Sequence, residues 1–153
     1  MSEQENLNVV RDAYTAYRDR DFDALRNGLA EDVKWFAIGP PDTIPTAGMR
    51  HGRDQVEEYF ATLEGAEEVK SFEPREFIAE DDKVVAIGDL QRHVRSTGSV
   101  INSPWIHVFT LKKGKITEFR SFYDTAAAIA ALENKQPRPA SRVEPQPLRR
   151  SFL

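Results

Sequence analysis

The chain contains no cysteine. Disulfides, zinc–thiolate centres and thiol nucleophiles are therefore excluded by composition. Histidine is scarce: His51, His93 and His107 are the whole supply, with neither i, i+4 nor His-x-His spacing, so no metal site is expected. No apolar run approaches the ~18 residues of a membrane-crossing helix. A phosphate-cradling glycine loop and a nucleophile elbow are missing too. The chain opens Met1-Ser2-Glu3-Gln4-Glu5, acidic and polar where a secretory signal would be basic and then apolar. The expectation is a soluble, cytoplasmic protein with no membrane partner and no cofactor.

What is present fits one domain of 153 residues, long enough to bury a core unaided. The net charge is −4, but its distribution is uneven. From Asn134 onward Lys135, Arg138, Arg142, Arg149 and Arg150 face only Glu144, so the preceding part is the acidic one. An acidic body repels phosphate backbones, and nucleic acid is not an expected partner. Pro137, Pro139, Pro145 and Pro147 interrupt the same stretch, which lacks apolar periodicity. The reading is a domain over 1–133 and a flexible proline- and arginine-rich tail over 134–153.

Ser2 and Glu5 form a capping box ahead of Leu7, Val10, Tyr14 and Tyr17, an amphipathic stripe at spacings of three and four. Asp21 caps a second short helix carrying Phe22, Leu25 and Leu29. Residues 33–38 read as a strand, and 39–52, with three prolines and three glycines, as a long loop fit for a pocket rim. A third helix is expected over 54–63. Strands follow over 72–79, 83–95, 100–111 and 115–123, separated by turn residues. Asp124-Thr125 then caps a short alanine-rich helix ending near Glu133. Three helices followed by a curved antiparallel meander make an α+β cone, the sheet wrapped around the helices, with a short C-terminal helix and a ligand site at the mouth.

The run Trp105-Ile106-His107-Val108-Phe109-Thr110-Leu111-Lys112-Lys113-Gly114-Lys115-Ile116, with Phe119-Arg120-Ser121-Phe122-Tyr123-Asp124-Thr125, resembles the last hairpin of SnoaL-like polyketide cyclases. That family belongs to the nuclear transport factor 2-like superfamily, with limonene epoxide hydrolases and ketosteroid isomerases as relatives. Gly39-Pro40-Pro41 and Gly48-Met49-Arg50-His51-Gly52-Arg53-Asp54 fit the same pattern, and the likeness spans about residues 5–133. The resemblance implies that Asp124 is catalytic and that His107 assists it. Asp89 is the nearest acid to the hydrolases' Arg-x-Asp pair, although Ile87 stands where the arginine belongs. Trp35, Phe36 and Ala37 occupy the strand that carries the isomerases' aspartate. Tyr14 corresponds to the isomerases' helix-one tyrosine and is expected near the ligand.

The residues themselves leave alternatives open. Asp124 is either a proton shuttle or only a helix cap, and strand parity sets it beside Phe122 and Arg120, away from Tyr123. His107 alternates with Ser103, Trp105 and Phe109, lining a pocket or filling the core. Asp89, Gln91 and His93 share one strand face, which lines the wet end of the cone or faces solvent or a second copy. Tyr17, Trp35, Phe60, Trp105 and Tyr123 supply aromatic lining or the core behind it. The functional expectation is cofactor-free acid–base chemistry of the isomerase or cyclase type on an apolar carbonyl or polyketide-like ligand. Epoxide hydrolysis and non-catalytic binding are the alternatives. Because both faces of the strand over 100–111 carry large apolar groups, a homodimer through the sheet is expected.

Overall fold

A computed structural model describes residues 2–134. The proline- and arginine-rich segment from Lys135 onward, read above as a tail, lies outside the described residues. The helices α1 (Glu3–Arg18), α2 (Phe22–Asn27) and α3 (Gly52–Ala66) begin where local chemistry favours a start. The Ser2 hydroxyl accepts from the Glu5 amide at 3.0 Å and the Asp21 carboxylate from the Ala24 amide at 3.1 Å, each satisfying a donor the helix leaves open. At α3 the cap residue, His51, contributes no side-chain bond, and Gln55 Oε1 instead accepts from the His51 amide at 2.7 Å.

Six strands form one sheet: β1 (Leu29–Ala37), β2 (Gly48–His51), β3 (Glu67–Glu80), β4 (Lys83–Val94), β5 (Val100–Lys112) and β6 (Lys115–Tyr123), followed by α4 (Thr125–Leu132). Their order is β2-β1-β6-β5-β4-β3. The sheet is mixed where a purely antiparallel one was expected, because β1 runs parallel to β6, with Trp35 opposite Phe119. The remaining pairs are antiparallel. Two further differences concern boundaries. The expected loop over 39–52 contains β2, which pairs with β1, and it folds Ile44 and Ala47 into the core. β3 begins at Glu67, directly after α3, since its first residues pair with the end of β4.

Side-chain parity divides the sheet into an inner and an outer surface. Val33, Trp35 and Ala37 of β1, Val84, Ala86, Leu90 and Val94 of β4, Ile101, Trp105 and Phe109 of β5, and Phe119 of β6 are buried. They pack with Val10 of α1 and Val56, Tyr59 and Leu63 of α3 in one core. Gly88 sits on that inner side of β4, opposite Trp105. A Cβ there would collide with the Trp105 ring and the Glu73 carbonyl, so glycine lets the indole lie flat on the sheet.

Candidate active site

Between the helices and the inner sheet surface lies a partly open cavity. Its lining is mainly apolar and aromatic: Leu25, Trp35, Phe60, Leu63, Phe72 and Phe119 are among the walls. The convergent polar groups are few, namely Tyr14, Tyr17, Thr46, Tyr59, Arg92, His107, Ser121 and Tyr123. An apolar enclosure with a small number of placed polar groups is the usual form of a small-molecule site.

At its centre Tyr14 Oη of α1 and His107 Nδ1 of β5 lie 2.8 Å apart. The imidazole is held by packing: it stacks on Trp105 at 4.2 Å between centroids and meets Phe119 edge-on at 4.7 Å. Burial, with the positive charge of Arg92 adding to it, pushes the His107 pKa well below the ordinary histidine range. Burial also pushes the Tyr14 phenol well above its ordinary value. Both members of the pair are therefore neutral at pH 7.

Among the described residues one cation lines the cavity. Arg92 of β4 is ion-paired with Glu67 of β3 at 3.4 Å, their side chains 12% and 8% exposed. Burial raises the pKa of Glu67, while Arg92 opposes that shift. The Tyr123 phenol is raised to about 12, chiefly by burial and then by the negative charge of Glu67.

The structure brings together Tyr14, Tyr17, Trp35, Phe60, His107 and Tyr123 of the residues expected at the site. Trp105 is buried behind them, stacked on His107 and, at 4.6 Å, on Phe72. Asp124 does not line the cavity. It is exposed, and its carboxylate accepts from the Ala127 amide at 3.0 Å as the cap of α4. Tyr123 faces inward, and Asp124, the next residue, turns away. Asp89, Gln91 and His93 occupy the outer side of β4. Asp89 is bound there to Arg75 at 2.7 Å, and Gln91 donates to Asn102 at 3.1 Å. Reading β4 from the opposite side finds Arg92 in phase with Val84, Ala86 and Leu90, a cation on an otherwise apolar strand face. That phase was the available signal for Arg92. Glu67 had none, because it precedes the strand that periodicity outlines. Among the described residues no cluster of histidine and carboxylate side chains is arranged to hold a metal ion.

The family model for the SnoaL-like domain matches residues 10–119, most of the chain. The chain belongs to the SnoaL-like family. No curated protein matches this SnoaL-like chain. Among solved structures it is similar to an NTF2-like protein from Burkholderia xenovorans LB400, with 30% identity, TM-score 0.79, and 86% of this chain and 98% of the other covered. It is similar also to TerC co-crystallised with polyporic acid, with 26% identity, TM-score 0.74, and 84% and 98% covered. A candidate polyketide cyclase from Xanthomonas campestris pv. campestris shares the fold at 21% identity and TM-score 0.69, with 86% and 99% covered.

Proposed function

We propose that this SnoaL-like protein is a cofactor-free acid–base enzyme of the isomerase or cyclase type, acting on an apolar, conjugated carbonyl compound. The observation that carries the reading is the buried Tyr14–His107 pair inside an aromatic cavity. A phenol and a neutral imidazole hold two exchangeable protons and share one hydrogen bond. When Nδ1 donates to Tyr14 Oη, the Nε2 lone pair is left for a substrate C–H and the phenol proton for a substrate carbonyl oxygen. A carbon-bound proton then passes to Nε2 while the phenol proton passes to the carbonyl. The Nδ1 proton moves to Tyr14 Oη in the same event. The C–H bond breaks, an O–H bond forms, and an enol results. The pair finishes in its other tautomer, still uncharged. Because burial disfavours both imidazolium and phenolate here, this neutral transfer is the low-cost route. Returning the proton to a different carbon shifts a double bond; attack of the enol carbon on a second carbonyl closes a ring, the π bond of that carbonyl opening to a hydroxyl that takes the proton released as the enol reverts to a carbonyl.

The test needs no natural substrate. In D₂O, with 1-indanone and 1-tetralone as probes, NMR should show the protein accelerating exchange of the protons adjacent to the carbonyl. His107→Gln and Tyr14→Phe should lower that rate by about 10²–10⁴, the range of general acid–base catalysis. Wild-type exchange no faster than in buffer would count against an enzyme. One observation favours simple binding as the second reading: among the described residues no carboxylate lines the cavity. Polyporic acid, the compound in the TerC crystals, is a suitable first ligand for a titration that separates binding from turnover.

A second copy of the chain belongs to the same reading. On the outer sheet surface Ile106 is 42% exposed, and Phe36 and Phe122 pack together beside it at 6.4 Å between centroids. An apolar sheet surface of this kind is ordinarily covered.

A further inference from the structure

Arg92 makes fewer bonds than its chemistry allows. A guanidinium has five N–H donors, yet Nη1 reaches only one oxygen of Glu67, at 3.4 Å, and the buried Nε has no partner. Carboxylate pairing is normally shorter and often bidentate. A buried ion pair with donors left over is a poor source of stability, since apolar side chains of similar volume serve a core as well or better. The unmet donors belong to a residue that lines the cavity.

The cavity adjoins a groove. Beyond Tyr14, Tyr17 and Phe72, which form a shared wall, the groove runs between α1 and β3. Arg11, Arg18, Arg20 and Lys70 line it. Acids outside the groove pair with three of them: Asp19 with Arg18, Glu64 with Arg20 and Glu68 with Lys70. Arg11 lies over the Phe77 ring at 5.1 Å. Among the described residues no carboxylate lines either the groove or the cavity. With three of these four cations paired to acids the groove adds little net positive charge, and the preference for an anion rests on Arg92 within the cavity.

We infer that Arg92 is the receptor for an anionic oxygen, so that the ligand is a conjugated or aromatic compound bearing a carboxylate or enolate. This rests on the small-molecule reading of the cavity and adds the charge of its occupant. Glu67 positions the guanidinium from behind. The ligand oxygen takes the donors that Glu67 leaves free, while the apolar body lies against Phe72, Phe60 and Phe119.

The experiment is calorimetric titration of the purified chain with 2-naphthoate and with 2-naphthamide, probes of equal shape that differ in charge. The carboxylate should bind about tenfold tighter or more, the increment of one charge-assisted hydrogen bond. Arg92→Met combined with Glu67→Gln, which leaves no unpaired buried charge, should bring the naphthoate affinity down to that of the amide. Arg92→Lys should keep part of the preference. Equal affinities in the wild type, or a preference that survives the double substitution, overturn the inference and leave the cavity reading intact. Binding of neither probe at millimolar concentration overturns both.

Discussion

At the scale of the single residue, the central feature is a histidine kept neutral by its surroundings. The native His107 pKa lies below the value of about 6.5 that the unfolded chain shows. The unfolded state therefore binds the proton first, and the histidine's contribution to stability is complete above pH 6.5 and lost as the pH falls from there toward the native pKa. Denaturant unfolding across pH 7.5 to 5 should show the wild type losing stability faster than His107→Gln. The difference in slope is at most about 1.4 kcal/mol per pH unit, one proton's worth. Parallel slopes would mean that His107 titrates as it does in the unfolded chain. His107 and Tyr14 were legible in the sequence because each falls on an apolar period of its own element. Their pairing was not, since it joins positions 93 residues apart that only the closed fold brings into contact.

At the scale of the element, the informative signals were short-range ones. Ser2, Asp21 and Asp124 were readable as helix caps, and each accepts the amide three residues on. For Asp124 the cap and the family resemblance compete, and the two uses predict different losses. Asp124→Ala should cost about 1 kcal/mol in unfolding experiments, and Asp124→Asn only a few tenths, because asparagine caps as well as aspartate. Proton exchange on 1-indanone should be unaffected by Asp124→Asn. A hundredfold fall with that conservative change would return Asp124 to the chemistry. Periodicity was less informative where pairing sets the boundary. Residues 48–51 read as loop because Gly48, Gly52 and the preceding prolines are turn formers, yet β2 exists through its pairing with β1. The polar side of β4 drew notice through Asp89, Gln91 and His93, whereas the functional cation was the exception on its apolar side.

At the scale of the whole molecule, the α+β cone was legible because three amphipathic helices and a meander with clear turns admit few closed arrangements. The β1–β6 junction was not, since a parallel pairing between distant segments leaves no local pattern in either. The outer sheet surface carries the remaining prediction. Sedimentation at micromolar concentration should give twice the 17.4 kDa monomer mass, and Ile106→Glu should shift it to the monomer. A wild-type monomer at that concentration would remove the second copy from the reading.

The parallel junction also orders events in time. Trp35 cannot meet Phe119 until more than eighty intervening residues have been made and folded back, so this seam has the longest loop to close. The β1–β2, β3–β4 and β4–β5 pairings close at short range, and α3 lays Tyr59 and Phe60 against Trp35 without needing β6. The arrival of β6 inserts Phe119, Ser121 and Tyr123 into the wall and completes the enclosure. A chain halted before residue 119 therefore has its hairpins but lacks the wall of the cavity that Phe119, Ser121 and Tyr123 supply.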